Sequence, residues 1–360
     1  MASDFSGSHD ATSDSPLLKA PASYGRTHVH RARRALGLAF FACAALILTL
    51  TGCDSEAMLA ADSSDRDTAL RILQVDSRML AFADVENQLA TSRRMLGDNE
   101  EFEAMMDEVM ARVEKMTGVR MEEDLHSVYV GLSDFGDDPR GGVVAFVDFD
   151  QDALSRQAAD TEGVVRLDTN WPVDAYTVEG RDRGASVAFA EGSLILFASD
   201  ARVLTGMLDR AYGESSAVTM DPLLATVADR NTWFVARDAG RLMNELPASG
   251  GSPEMAMIRP LLAGIQDVAF GMDQDGERMS SEFLIRPNDN VTVDDYESLL
   301  SGVRAMLRLQ FRDFDVASDM IDRIDIDAED EWVSLSMDVN REEMERLEEE
   351  LREEMRARFD

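Results

Sequence analysis

Residues 79–84 read Met-Leu-Ala-Phe-Ala-Asp, and residues 233–238 read Trp-Phe-Val-Ala-Arg-Asp. Each is a short, largely apolar run, which predicts strands over 79–85 and 232–237. A helical pattern follows each strand, over Glu86–Leu96 in the first case and over Ala239–Leu246 in the second. The chain therefore carries the same strand-then-helix unit twice.

The repetition continues beyond these two units. In the order of predicted strands, Asp267–Met272 corresponds to Ser127–Leu132, and Glu277–Arg286 corresponds to Gly142–Phe149. This order predicts an internal duplication of the α+β class, with two similar halves, each a mostly antiparallel sheet with helices packed on one face. The predicted halves are residues 69–225 and 226–360.

Amphipathic helices complete the predicted body. One is expected between residues 98 and 118. The clearest runs from Val293 to Phe311, and its apolar residues are predicted to fill the core, namely Tyr296, Leu299, Leu300, Val303, Met306, Leu307 and Phe311. Asn340 and Glu343 form a capping pair at the start of the last helix. That helix has a narrow apolar stripe, which indicates an outer position or a partner.

Four stretches give the chain a family likeness. They are residues 75–85, residues 116–125, residues 233–237 and the helix from Tyr296 to Phe311. The chain resembles an uncharacterised family of bacterial exported, lipid-anchored proteins with a duplicated α+β body. The resemblance implies an architecture and assigns no catalytic residue.

The N-terminal segment looks like an export signal. Residues 28–34 are basic, residues 35–50 are mostly apolar, and Leu50-Thr51-Gly52-Cys53 has the form of a lipobox. We expect removal of residues 1–52, lipidation of Cys53, a tether over 53–68, and a body outside the cytoplasm, anchored to the membrane of the cell envelope. The alternative is an uncleaved signal anchor, and whether export is general or twin-arginine stays open.

The composition limits the classes of partner and cofactor that we expect the chain to bind. Aspartate and glutamate number 70 against 35 lysines and arginines, a net charge of −35. Such a chain repels nucleic acid, so we expect no nucleic-acid partner. Cys43 lies in the export signal and Cys53 is the lipid site, which leaves the body without a disulfide. No cofactor motif occurs.

Few residues are candidates for catalysis or for metal binding. His126 is the only histidine after residue 52, and its place at the start of a strand favours a structural role. Asp148, Asp150 and Asp152 alternate like calcium ligands, but Ala153 and Ala159 stand where such a loop needs glycine and glutamate. A strand end followed by helix-capping aspartates explains them better. The acidic residues at 325–331 are expected on a solvated strand edge.

The leading interpretation is a non-enzymatic lipoprotein that binds an envelope protein or a small ligand in a groove between its halves. The alternative is a carboxylate-dependent hydrolase at the envelope surface. A closed pocket with two converging carboxylates would favour the hydrolase, whereas an apolar surface would favour binding.

Overall fold

The computed structural model describes residues 63–73, 77–86, 88, 107, 110–111, 113–115, 118–134, 140–178, 184–190, 193–213, 220–241, 263–275, 278–312, 314–347 and 349–350. All of them belong to one compact unit, Cys43–Asp360. No helix in these ranges is long and apolar enough to cross a membrane. Most of the predicted helices at 86–96, 98–118 and 239–246 lies outside the described residues.

The described helices and strands are interspersed along the chain. The helices are α1 (Ser63–Leu73), α2 (Met121–Asp124), α3 (Gln151–Asp160), α4 (Ala201–Tyr212), α5 (Pro222–Val227), α6 (Val293–Gln310) and α7 (Asp315–Asp322). The strands are β1 (Met79–Asp84), β2 (Leu125–Asp134), β3 (Arg140–Val147), β4 (Val164–Arg166), β5 (Asp174–Val178), β6 (Ser186–Ala190), β7 (Leu194–Ala198), β8 (Thr232–Ala236), β9 (Ile265–Asp275), β10 (Arg278–Pro287), β11 (Asp325–Glu329) and β12 (Trp332–Asn340). Residues 341–347 and 349–350 are also helical.

All twelve strands form one sheet, in the order β11-β12-β10-β9-β8-β1-β2-β3-β7-β6-β5-β4. Every neighbouring pair is antiparallel. The α+β class and the antiparallel sheet are therefore confirmed. On one side of the β1–β8 pair, β2 and β3 follow β1, and on the other side β9 and β10 follow β8. The order of strands is therefore the same on the two sides of this pair. A duplication of the chain stays a prediction.

The junction between the two runs of strands is itself a strand pair. β1 faces β8 with Met79 opposite Ala236 and Phe82 opposite Trp233. The backbone N–H of Arg237 donates to the carbonyl of Arg78 at 2.7 Å and extends the ladder beyond β8. The sheet is therefore continuous where the sequence predicted a groove between two halves.

Helices α1, α4 and α5 cover one face of the sheet, which we call the first face. Their buried residues form one cluster with Leu80, Phe82, Tyr129 and Trp233. Gly131 and Gly271 allow this close approach, because a Cβ at Gly131 would lie 3.1 Å from Leu73 Cβ of α1 and one at Gly271 would lie 3.2 Å from Val227 Cγ1 of α5.

Helix α6 packs on the opposite, second face. Tyr296 is buried there with Ala236, Val268, Ile285 and Val333. Helices thus cover both faces of the sheet, a difference from the predicted single face. The cause is visible in β8, where Val235 belongs to the cluster of the first face and its neighbour Ala236 to that of the second face, so that both faces carry apolar residues and need cover.

Two further differences concern helices that the sequence did not predict. Helix α1 begins at Ser63, inside the predicted tether of residues 53–68, and buries Ala69 and Leu70 completely. Residues 63–68 therefore belong to the body. Helix α5 is capped by Asp221, whose side chain accepts a hydrogen bond from the N–H of Leu223.

Candidate functional site

Leu50, Thr51, Gly52 and Cys53, the residues expected to carry the lipid, lie outside the described residues. Lipidation of Cys53 remains a prediction from the sequence.

The three alternating aspartates after β3 occupy structural positions. Asp150 caps α3, because its Oδ1 accepts a hydrogen bond from the N–H of Ala153 at 2.9 Å. Asp152 lies in the first turn of the same helix, where a carboxylate offsets the helix dipole. In the part of the chain that the structure describes, no group of three or more histidine, cysteine, aspartate or glutamate side chains is placed to hold a metal ion.

His126, Asp148 and Ser193 come together at the surface. His126 Nε2 lies 3.2 Å from Asp148 Oδ2, and Ser193 Oγ donates to Asp148 Oδ1 at 3.2 Å. A nucleophilic serine must donate to the histidine, which in turn needs the carboxylate. Here the carboxylate lies between them, so this group does not activate Ser193.

Arginines pair with carboxylates of β9 and β10. Arg286 NH1 lies 2.9 Å from Asp267 Oδ2, and its guanidinium carbon lies 4.4 Å from the centre of the Trp332 ring. Arg230 bridges Asp273 at 2.7 Å and Glu282 at 2.9 Å. Such charge-assisted contacts give these carboxylates a structural role.

Two other carboxyl groups have a lowered pKa. The backbone N–H of Arg120 lowers the pKa of Asp124, and that of Asn340 lowers the pKa of Glu343. Both are thereby held as carboxylates, whereas a general acid needs a raised pKa.

The acidic residues of β11 were predicted on a solvated strand edge. Asp325, Asp327 and Glu329 are exposed there.

A shallow groove of about 360 Å³ lies beside the loop after β4. Arg166, Leu167, Asp168, Thr169, Trp171 and Val173 line it. Its one cation, Arg166, is paired with Asp174 at 2.5 Å, and Trp171 is stacked on Tyr212 with its Nε1 donating to Asp209 at 2.9 Å. These contacts hold the loop against α4. They also occupy the Arg166 guanidinium and the Trp171 N–H, which could otherwise bind a ligand.

The outer surface of α6 is the most distinctive exposed feature. Among the described residues, the exposed large apolar side chains are Phe197 (38% exposed), Leu299 (44%), Met306 (37%) and Leu309 (71%). Three of these four belong to α6. At about 100° per residue, Leu299, Gly302, Met306 and Leu309 fall within about 80° of one another. We call these four residues the outer stripe.

The outer stripe corrects the sequence prediction for this helix. Leu299 and Met306 were expected in the core together with Tyr296, and both are exposed. The core side includes Tyr296, which is 1% exposed, and the partly buried Val293 and Leu300 in the same cluster. Leu309, the most exposed of the set, was not singled out by the sequence. Its only signal was the spacing of three residues from Met306.

The charge around the outer stripe differs from that of the chain as a whole. Residues 298–310 contain no aspartate or glutamate, although the chain has a net charge of −35. The two arginines of this segment bind their own body: Arg304 NH1 donates to the carbonyl of Ile324 at 2.6 Å, and Arg308 NH2 lies 3.1 Å from Asp322 Oδ2. The stripe therefore presents an uncharged apolar surface.

No protein-family model matches the chain, and no curated protein sequence matches it. Among solved structures, three crystal forms of TP0453 are similar to it. Form IV has a TM-score of 0.45 at 9% identity and covers 77% of this chain and 94% of that one. Form III has a TM-score of 0.45 at 10% identity, covering 77% and 95%. Form I has a TM-score of 0.45 at 9% identity, covering 78% and 95%.

Proposed function

We propose that this chain is a non-enzymatic binding protein of the cell envelope, anchored by a lipid on Cys53, which docks a protein partner on the outer stripe of α6. The observation that carries the proposal is the outer stripe itself. Leu299, Met306 and Leu309 form a line of exposed apolar side chains in a segment without a carboxylate. Contiguous exposed apolar surface on a folded body is typical of an interaction site.

The surroundings of the stripe also suit a protein partner. Arg304 and Arg308 are bound to Ile324 and Asp322. The cations of this segment are thus engaged within the chain, which suits an apolar protein surface better than an anionic ligand. Helix α6 is held at its start by Tyr296, which is 1% exposed, and farther along by the hydrogen bond from Arg304 to the carbonyl of Ile324. A partner would meet a preformed helix face, which lowers the entropic cost of binding.

The lipid anchor is supported by the sequence of the first 53 residues. A basic cluster, an apolar run and Leu50-Thr51-Gly52-Cys53 occur in the order of a lipoprotein signal. Two acyl chains suffice for firm membrane binding. The body then needs no membrane-facing surface of its own, and its apolar stripe is available for a partner.

Photo-crosslinking in native membranes tests this function. A photoreactive residue is placed at Leu309 in one version of the full chain and at Ser301, on another side of α6, in a control version. We expect a discrete crosslinked protein from position 309 and none from position 301. Equal crosslinking from both positions, or none from position 309, would refute docking on the outer stripe.

A further inference from the structure

The outer stripe is self-complementary when two copies of α6 lie antiparallel. Its residues are spaced by three, four and three positions, from Leu299 through Gly302 and Met306 to Leu309. A twofold axis beside residue 304 would place Leu299 against Leu309 of the second copy and Gly302 against Met306. Apolar residues at this alternating spacing are the pattern by which paired helices interdigitate.

We infer that the partner docked on the outer stripe is a second copy of this chain, paired through α6 about a twofold axis. The inference rests on the proposed function and names its partner. A symmetric pair uses the same patch on both subunits, so the patch must complement itself.

Gly302 gives this pairing a place for its largest side chain. A Cβ built at Gly302 meets no heavy atom within 4 Å, so the surface there is open. The opposing Met306 is long and flexible and can lie against the helix where Gly302 has no side chain. The same exchange occurs twice in the symmetric pair.

Charge also favours a second copy at this position. Two chains of net charge −35 repel each other over most of their surfaces. Residues 298–310 carry no carboxylate, so these two segments of α6 can approach each other without placing carboxylates of the helix in contact. The carboxylates of the helix, Asp294, Asp295 and Glu297, lie at its start.

The size of the contact predicts a weak dimer. The stripe spans about 15 Å of helix. A single helix pair of this length covers less than the roughly 800 Å² per partner of a standard interface. We therefore expect weak association in free solution and stronger association where both copies share one membrane, because tethering raises their effective concentration.

Disulfide crosslinking between two differently tagged full chains tests both the pairing and its direction. One chain carries Leu299→Cys and the other Leu309→Cys, and the unchanged chain, with Cys43 and Cys53 alone, provides the background. The antiparallel pair predicts a mixed disulfide between the two variants. Each variant alone should not crosslink to itself, because two copies of residue 299 would lie about 15 Å apart along the helices, beyond the reach of a disulfide.

Sedimentation of Leu309→Glu and of the control Ser301→Glu provides a second measurement. We expect Leu309→Glu to weaken self-association at least about tenfold and Ser301→Glu to leave it unchanged. Leu309 is 71% exposed, so its replacement should not unfold the chain.

Absence of the mixed disulfide, or equal self-crosslinking of the single variants, overturns the inference. If position 309 nevertheless crosslinks to a different protein in membranes, the proposed function stands and the second copy is excluded. Loss of vesicle binding by Leu309→Glu without a change in self-association would assign the stripe to a lipid surface instead.

Discussion

Trp233 of β8 lies directly opposite Phe82 of β1, with their ring centres 5.8 Å apart. Trp233 is 1% exposed and Phe82 is 3% exposed. The ring centre of Tyr129, on the neighbouring strand β2, lies 4.6 Å from that of Phe82, so three aromatic rings lie side by side on β8, β1 and β2. This cluster makes the junction part of the core.

Truncation at the junction should destabilise the whole body. We expect Trp233→Ala to lower the free energy of unfolding by about 3–5 kcal/mol, because it opens a cavity in a buried cluster. Phe197→Ala, at a side chain that is 38% exposed, should cost less than half as much. Urea unfolding followed by circular dichroism checks both. Two separate transitions, of which only one moves, would show that the two runs of strands fold independently.

Two glycines should respond in opposite directions to alanine. A Cβ at Gly141 would collide with the carbonyl oxygen of Gly131, which is backbone and cannot rotate away. We expect Gly141→Ala to destabilise the chain by about 1–3 kcal/mol. Gly302 lies within α6 with open space around it, so Gly302→Ala should stabilise it by about 0.5–1 kcal/mol. Thermal melting at low protein concentration distinguishes the two, and equal shifts would contradict the packing described for β3.

The start of the C-terminal helix should be sensitive to acid. Asn340 N–H donates to Glu343 Oε2 at 3.0 Å, and Glu343 N–H donates to Asn340 Oδ1 at 3.0 Å, which is the predicted capping pair. The bond from the Asn340 N–H lowers the pKa of Glu343, and Arg323 adds to the effect. A carboxyl group whose pKa is lowered on folding stabilises the fold above its unfolded pKa, and this contribution is lost as the pH falls through the lowered value.

Glu343→Gln should therefore melt at a lower temperature than the unchanged chain at pH 7. The difference should shrink as the pH falls below about 4.3, the ordinary pKa of glutamate. Melting curves between pH 7 and pH 3 measure it. A difference that is constant over this range would mean that the charge of Glu343 contributes nothing to the cap.

Cys53→Ser tests the anchor. Without the thiol there is no site for the acyl chains, so we expect the protein to be released from membranes or to keep its signal segment. Gel mobility and membrane fractionation of both chains give the result. Unchanged size and unchanged membrane retention of Cys53→Ser would favour an uncleaved anchor.

The local features of this fold could be predicted from the sequence. The alternating or apolar runs gave the strands β1, β6, β7 and β8, and the 293–311 periodicity gave α6. Turn residues 191–193 marked the hairpin of β6 and β7 correctly. These are short-range patterns, in which each residue's neighbours along the chain decide the structure.

The pairing of β1 with β8 could not be predicted, because it joins residues such as Phe82 and Trp233 that are far apart in sequence. The exposure of the outer stripe of α6 was missed for a different reason. Tyr296 and Leu300 form one apolar stripe, and Leu299 and Met306 form an adjacent one. Periodicity shows both and does not say which of them the sheet covers.

Oxidation of Met306 in native membranes tests the docking surface most directly. Met306 is 37% exposed in the single chain, whereas Met320 is 9% exposed and serves as an internal reference. Peroxide converts accessible methionine to its sulfoxide, which mass spectrometry quantifies at each position. If the outer stripe is occupied, Met306 should oxidise about as slowly as Met320 in the unchanged chain and much faster in Leu309→Glu. Equally fast oxidation of Met306 in both chains would contradict the account.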